Sequence, residues 1–228
     1  MTIDDGAPTD PLPRAERRWT ASAFVLVSMA VPFLLPGRYS PGIDYYLPWL
    51  FPAIEGVVLV ALIILDPGRI DQPGRWVRTL SLILVAAIAS GAAWSAARLL
   101  WDLLHGNPQT TVATELLISG ALVWLQTIIA FAFLYWETDN GGPVSRHLRH
   151  RERADLVFPQ QLSPELAAPG WRPIYFDYLY LALNNATAFS PTDVIPFARW
   201  AKLAMALQSI LSIMILSLVV ANAVNLLG

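Results

Sequence analysis

The sequence predicts an all-α integral membrane protein with five transmembrane helices and a re-entrant helix-loop before the last of them. Three observations carry this. Of 228 residues, 55% are hydrophobic and only 14% charged, whereas soluble domains carry about 25% charged residues. The apolar residues fall in blocks of spanning length, not in amphipathic periods. Finally, a short aromatic stretch, 174–183 (IYFDYLYLAL), runs into the polar stretch 184–193 and then directly into a long apolar run. Irregular backbone sits at membrane depth only where protein buries it or where it lines a water-filled cavity.

The elements follow in order. Residues 1–18 form a mobile tail, because 1–13 are rich in Asp, Pro and Thr and offer little to bury. Four spans are expected at 19–35, 46–65, 77–103 and 112–136, together a four-helix membrane region over 19–136. The breaks between them carry turn chemistry: Pro36-Gly-Arg-Tyr-Ser-Pro-Gly42, Asp66-Pro-Gly68 and Gly106-Asn-Pro108. The first span lacks a small-x-small cleavage site, so it is expected to be retained and not removed as a signal peptide. A basic polar linker covers 137–172, and a module over 173–228 holds the short helix, its loop and a last helix over 196–227.

Composition narrows function. A net charge of −2 gives no reason to expect nucleic acid, and with no cysteine there is neither disulfide nor thiolate chemistry. No nucleotide-binding glycine loop, nucleophile elbow or zinc motif is present, so no enzyme activity, cofactor or metal centre is expected. His147 and His150 lie three apart but among four arginines, which repel a cation. No internal repeat is visible, which disfavours an inverted-repeat transporter within one chain. Fourteen arginines against one lysine fit a bacterial genome of high GC content.

Arginine placement sets orientation. Arg14, Arg17, Arg18, Arg69, Arg75, Arg78, Arg146, Arg149, Arg151, Arg153 and Arg172 all fall on one side if four spans alternate, and the opposite loops carry only Arg38. The N-terminus is therefore expected in the cytoplasm, the chain being a multi-pass protein of the inner (plasma) membrane. On this count the loop after the short helix dips in from the cytoplasmic side.

Several polar residues inside apolar segments are candidates, each with two readings. Gln208, Ser212 and Asn222 of the last helix fall within about 80° of arc; they either line a pore or make interhelical hydrogen bonds. Asn184, Asn185, Thr187, Ser190, Thr192 and Asp193 form the polar part of the re-entrant segment and would make its constriction, with Asp193 either attracting cations or capping the last helix. Asp177 fits a first-turn dipole role. Glu55, between Pro52 and Gly56, is the most isolated membrane carboxylate: a proton or cation site, or half of an ion pair with Arg98 as the candidate partner. Gln126 is expected to bridge helices.

An aromatic short helix (Phe176-Asp-Tyr-Leu-Tyr180), Thr187, Asp193, Pro196 and a basic-flanked last helix together resemble the pore module of tetrameric potassium-type cation channels. The stretch also resembles the C-terminus of bacterial multi-pass membrane proteins that carry such a pore-like sequence. The family pattern runs approximately Thr-Val-Gly-Tyr-Gly-Asp-x-x-Pro. Here the matching stretch is Thr187-Ala-Phe-Ser-Pro-Thr-Asp-Val-Ile-Pro196, one residue longer and without either glycine. Glycine is what lets filter carbonyls line up in left-handed conformations, so potassium selectivity does not carry over. The family's filter faces outward, whereas the arginine count turns this loop inward. The resemblance implies a homotetrameric pore in the bilayer passing monovalent or divalent cations. A non-conducting scaffold or accessory subunit with a channel-like core, and a proton-coupled carrier centred on Glu55, are the alternatives.

Overall fold

The structure, a computed structural model, describes residues 16–36, 39, 49–66, 74–105, 112–148, 154–187 and 193–227. Apart from one two-residue β pairing, the regular structure among these residues is helical. Four helices come first: α1 (Arg18–Leu34), α2 (Leu50–Leu65), α3 (Arg75–His105) and α4 (Ala113–Thr138). Their bounds lie within a few residues of the expected spans where those fall on described residues. A short α5 (Pro143–Leu148), β1 (Leu156–Val157) and α6 (Pro159–Leu162) lead to α7 (Tyr175–Thr187), β2 (Ile195–Pro196) and α8 (Arg199–Leu227). α3, α8 and the helix that starts at Ala113 are long and apolar enough to cross a membrane, while α1 and α2 are shorter apolar helices.

α4 is the hub and packs against α1, α3, α7 and α8. Its small residues allow this: a Cβ added to Gly120 would lie 2.7 Å from both γ-methyls of Val219 in α8, so the two helices meet with no space for a side chain. α8 buries one seam, Ala201, Met205, Gln208, Ser212, Ile215, Val219 and Ala223, at the steps of three or four that a helix needs to keep one face inward. Leu203, Leu207, Ile210, Ile213, Val220 and Val224 stay exposed on it. One core cluster holds the buried aromatics Phe133, Tyr135, Trp136, Phe158, Tyr175 and Tyr178 among aliphatic side chains. A second, aliphatic one joins Val31, Leu99, Leu116, Val123, Ile215 and Val219.

Two expectations change here. The stretch 137–172 is not a plain polar linker: its described residues fold against the helix ends. Asn140, Gly141 and Gly142 all take positive φ (50°, 78° and 95°), turning the chain sharply after α4. Tight packing follows, since a Cβ on Gly142 would sit 2.2 Å from Nη1 of Arg78. Arg172 then donates to the carbonyls of Arg146 (2.7 Å) and His147 (2.6 Å), satisfying the last turn of α5. Of the expected tail 1–18, residues 16–18 are described and are held in place. The Glu16 carboxylate accepts hydrogen bonds from Tyr175 N (2.7 Å) and Trp136 Nε1 (2.9 Å), and Arg18 already belongs to α1.

α7 starts beside Glu16 and ends against Met205–Ser209 of α8. By Ile195 the chain is back beside the α4 end: Val157 pairs with Ile195 and Leu156 with Pro196, while the amides of Phe197 and Ala198 both donate to Asp155 O. Leu156 N in turn donates to Asp139.

Candidate functional site

Charges cluster where α1, α3 and α7 begin and α2 and α4 end. Arg18 donates to the carboxylate of Asp66 and, at 2.9 Å, to its carbonyl. Arg78 reaches the carboxylate of Glu137 and, at 2.8 Å, its carbonyl. The Arg18 charge also acts on Glu137, so the two pairs form one layer. Beside it, Tyr178 donates to Asp139 at 2.5 Å, and the Arg146 guanidinium stacks 4.9 Å over the Tyr178 ring while donating to the carbonyls of Trp136 (2.6 Å) and Asp139 (2.9 Å). Low-dielectric surroundings make such pairs costly to break from one side only. Sequence reasoning used Arg18, Arg78, Arg146 and Arg172 as free topogenic charges; here each holds a partner. A usable signal was present: Asp66 and Glu137 close apolar runs on the side where Arg18 and Arg78 open others.

This ionic layer serves as a depth marker. At 1.5 Å rise per residue, Ser28 of α1, Glu55 of α2 and Gln126 of α4 all lie about 15–17 Å from it. All three are buried, Glu55 being only 2% exposed. Ser28 is the side chain that acts on the Glu55 carboxylate, yet its Oγ lies outside hydrogen-bonding geometry, and Glu55 Oε2 and Gln126 Oε1 also lack partners. A buried polar atom without a partner is uncommon and costly. Arg98 is not positioned to pair with Glu55. Phe51 faces Gly91, which sets Glu55 near Ala87, and Arg98 lies about 16 Å further along α3, beyond side-chain reach. Among the described candidates Glu55 is thus a buried carboxylate with one oxygen unpartnered, and the buried oxygens of Gln126 and Ser212 are unpartnered as well.

The polar face of α8 has a different fate. Gln208 and Ser212 are fully buried. Gln208 Oε1 accepts from the Tyr135 hydroxyl (2.8 Å) and from Asn185 Nδ2 (2.9 Å), and its Nε2 donates to Ala182 O (2.8 Å). Asn185 donates also to Met205 O (2.9 Å), and the Ser209 hydroxyl lies 3.2 Å from both the carbonyl and Oδ1 of Asn185. These contacts are interhelical glue linking α4, α7 and α8, the plainer of the two readings. Asn222 is half-buried and donates to Leu218 O at 3.0 Å on its own helix.

The expected constriction divides. Asn184, Asn185 and Thr187 belong to the last turn of α7 and not to a loop. Asn185 is anchored to α8, and Thr187 Oγ1 donates back to Asn184 O at 2.8 Å. Ser190 and Thr192, with Phe189 and Pro191, lie outside the described residues, as do His150 and Arg149, Arg151 and Arg153. Asp193 is exposed and does not cap α8: Pro196 sits in β2 and the helix begins only at Arg199. Asp177 accepts from Ile174 N at 2.8 Å, which fits its expected first-turn role. Among the described residues no group of three His, Asp or Glu side chains is placed to hold a metal. Compared with family models, curated proteins and solved structures, the chain matches none.

Proposed function

We propose that this chain is a multi-pass membrane protein of five spanning helices that carries protons or cations by way of the Glu55 carboxylate, with its N-terminus in the cytoplasm. The supporting observation is the burial of Glu55 near the middle of an apolar bundle with one carboxylate oxygen unpartnered. An ionisable group at such depth is costly and is by default functional. It is tolerated when it takes up a proton or pairs with a cation, and either event turns it into a binding site. Ser28, on the neighbouring α1 at the same depth, offers a further oxygen, and oxygen ligands suit hard cations. The membrane setting draws support from α3, where the exposed Trp76 and Trp101 stand about 38 Å apart, close to the separation of the two interfaces.

Proteoliposomes carrying the full chain test this with an internal pH dye and with monovalent and divalent cations in turn. Wild-type flux should be lost in Glu55→Gln and lowered in Ser28→Ala, while Asp193→Asn stays within about twofold. Flux that survives Glu55→Gln, or no flux in the wild type, overturns the proposal.

A second reading, an oligomeric cation pore built on α7 and α8, is favoured by one observation: α7 leaves the ionic layer, ends against Met205–Ser209, and the chain is back beside Asp155 by Phe197. That path is what a re-entrant pore helix requires. In the same liposomes this reading reverses the pattern: Thr187→Ala and Asp193→Asn reduce flux and Glu55→Gln does not.

A further inference from the structure

Beside the ionic layer, described residues of the stretch 140–173 line a half-open pocket of about 550 Å³. Among the described residues its lining includes Asn140, Arg146, Gln160, Gln161, Trp171 and Arg172, with two arginines and no carboxylate. Two acids beside it hold other partners: Asp139 accepts from Tyr178 and Leu156 N, and Asp155 accepts from Asn140 N at 2.9 Å. Arg146 commits Nη1 to two carbonyls, while its Nη2 has no partner. Asn140 Oδ1 is a buried acceptor likewise without a partner. Gln161 accepts from Phe158 N through Oε1, which leaves its amide protons to donate.

One pocket thus carries an unpartnered cationic donor and an unpartnered acceptor. We propose that it binds a hydroxyl-bearing phosphate ester, the phosphate meeting the Arg146 and Arg172 side and the hydroxyl donating to Asn140. Planar guanidinium groups match phosphate oxygens, and the volume is that of a small-ligand site, larger than a bare ion needs. Trp171 and the prolines Pro164, Pro169 and Pro173 give the ester an apolar wall. The same chemistry exists in a phosphoglycerol lipid headgroup and in a soluble glycerol phosphate. This inference does not depend on Glu55.

The test uses the full chain in neutral detergent. Calorimetric titration with sn-glycerol 3-phosphate reads the soluble source, and native mass spectrometry after incubation with phosphatidylglycerol against phosphatidylcholine vesicles reads the lipid source. We expect one equivalent of at least one of these probes to be retained, glycerol phosphate alone identifying a soluble ligand and phosphatidylglycerol alone a headgroup. Gln160→Glu adds a negative charge to an exposed wall residue that holds no structural bond, and should weaken retention at least tenfold with Tm unchanged. Arg172→Gln should do the same, although it also loosens the α5 carbonyls, so Gln160→Glu decides. Retention of neither probe, or equal retention in Gln160→Glu, overturns the proposal.

Discussion

The Tyr135 hydroxyl of α4 donates to Oε1 of Gln208 in α8 at 2.8 Å, and that same oxygen accepts from Asn185 of α7. Three helices therefore share one buried acceptor, and both amide hydrogens of Asn185 are donated, to Gln208 and to Met205 O. A satisfied buried network rigidifies its surroundings, and half-satisfied it becomes a liability.

Removing its centre should be worse than trimming its edge. Gln208→Leu takes the acceptor from the Tyr135 hydroxyl and from one Asn185 amide hydrogen and the donor from the Ala182 carbonyl, and is expected to cost about 2–4 kcal/mol. Tyr135→Phe removes one donor while Gln208 keeps Asn185, and should cost about 1 kcal/mol. Thermal unfolding in detergent ranks the two. Equal losses would mean that the network is not organised around Gln208.

Gly120 gives a steric prediction. Gly120→Ala places a methyl 2.7 Å from the Val219 methyls and should destabilise by about 1–3 kcal/mol through overpacking. Adding Val219→Ala frees that space, so the double variant should be less destabilised than the sum of the two singles. A double-mutant cycle with Tm as readout checks the coupling. Additive losses would place the α4–α8 contact elsewhere.

Arg18 and Asp66 are both buried. Arg18→Ala abandons a carboxylate in the interior and should cost about 3–5 kcal/mol. Arg18→Met with Asp66→Asn, which removes both charges, should recover much of that. Denaturation of the reconstituted variants reads the difference, and a double variant no better than Arg18→Ala alone would argue against a charge-based cause.

Stability should also vary with pH through Glu16. Burial pushes its carboxyl above the ordinary value of 4.5, against the hydrogen bonds from Tyr175 and Trp136 and the Arg146 charge that pull it down. A raised native pKa means that the folded protein binds the proton more tightly than the unfolded chain. The contribution is thus fully present below about 4.5 and is lost as pH rises through the raised value. The Tm difference between wild type and Glu16→Gln should be smallest at the acid end of that window and should turn against the wild type as pH increases. A difference that is flat with pH would show that the group titrates normally.

What the sequence made legible was the set of apolar runs. Hydrophobic length identifies α3, α4 and α8 because spanning segments need no partner to be recognised. The end of α7 was not legible. Asn184 and Asn185 carry turn propensity, yet Asn185 gains two donated bonds to α8 that local reasoning cannot see, and tertiary contacts override propensity here. The ionic layer escaped for a related reason: Arg18 and Asp66 are 48 residues apart, and Arg78 and Glu137 are 59 apart. Glu55 was visible because a lone carboxylate in an apolar run stands out by composition, although its pairing with Arg98 failed on helix register.

The short ribbon between Leu156–Val157 and Ile195–Pro196 has a mechanical consequence. It clasps the chain before α7 to the chain after it, so that helix hangs inside a closed loop whose neck is the ribbon. A peptide bond cut within the loop would leave both fragments fastened at the clasp and against Asp155. Those four residues therefore fix the two ends of the α7 loop to each other, independently of the contacts α7 makes with α4 and α8.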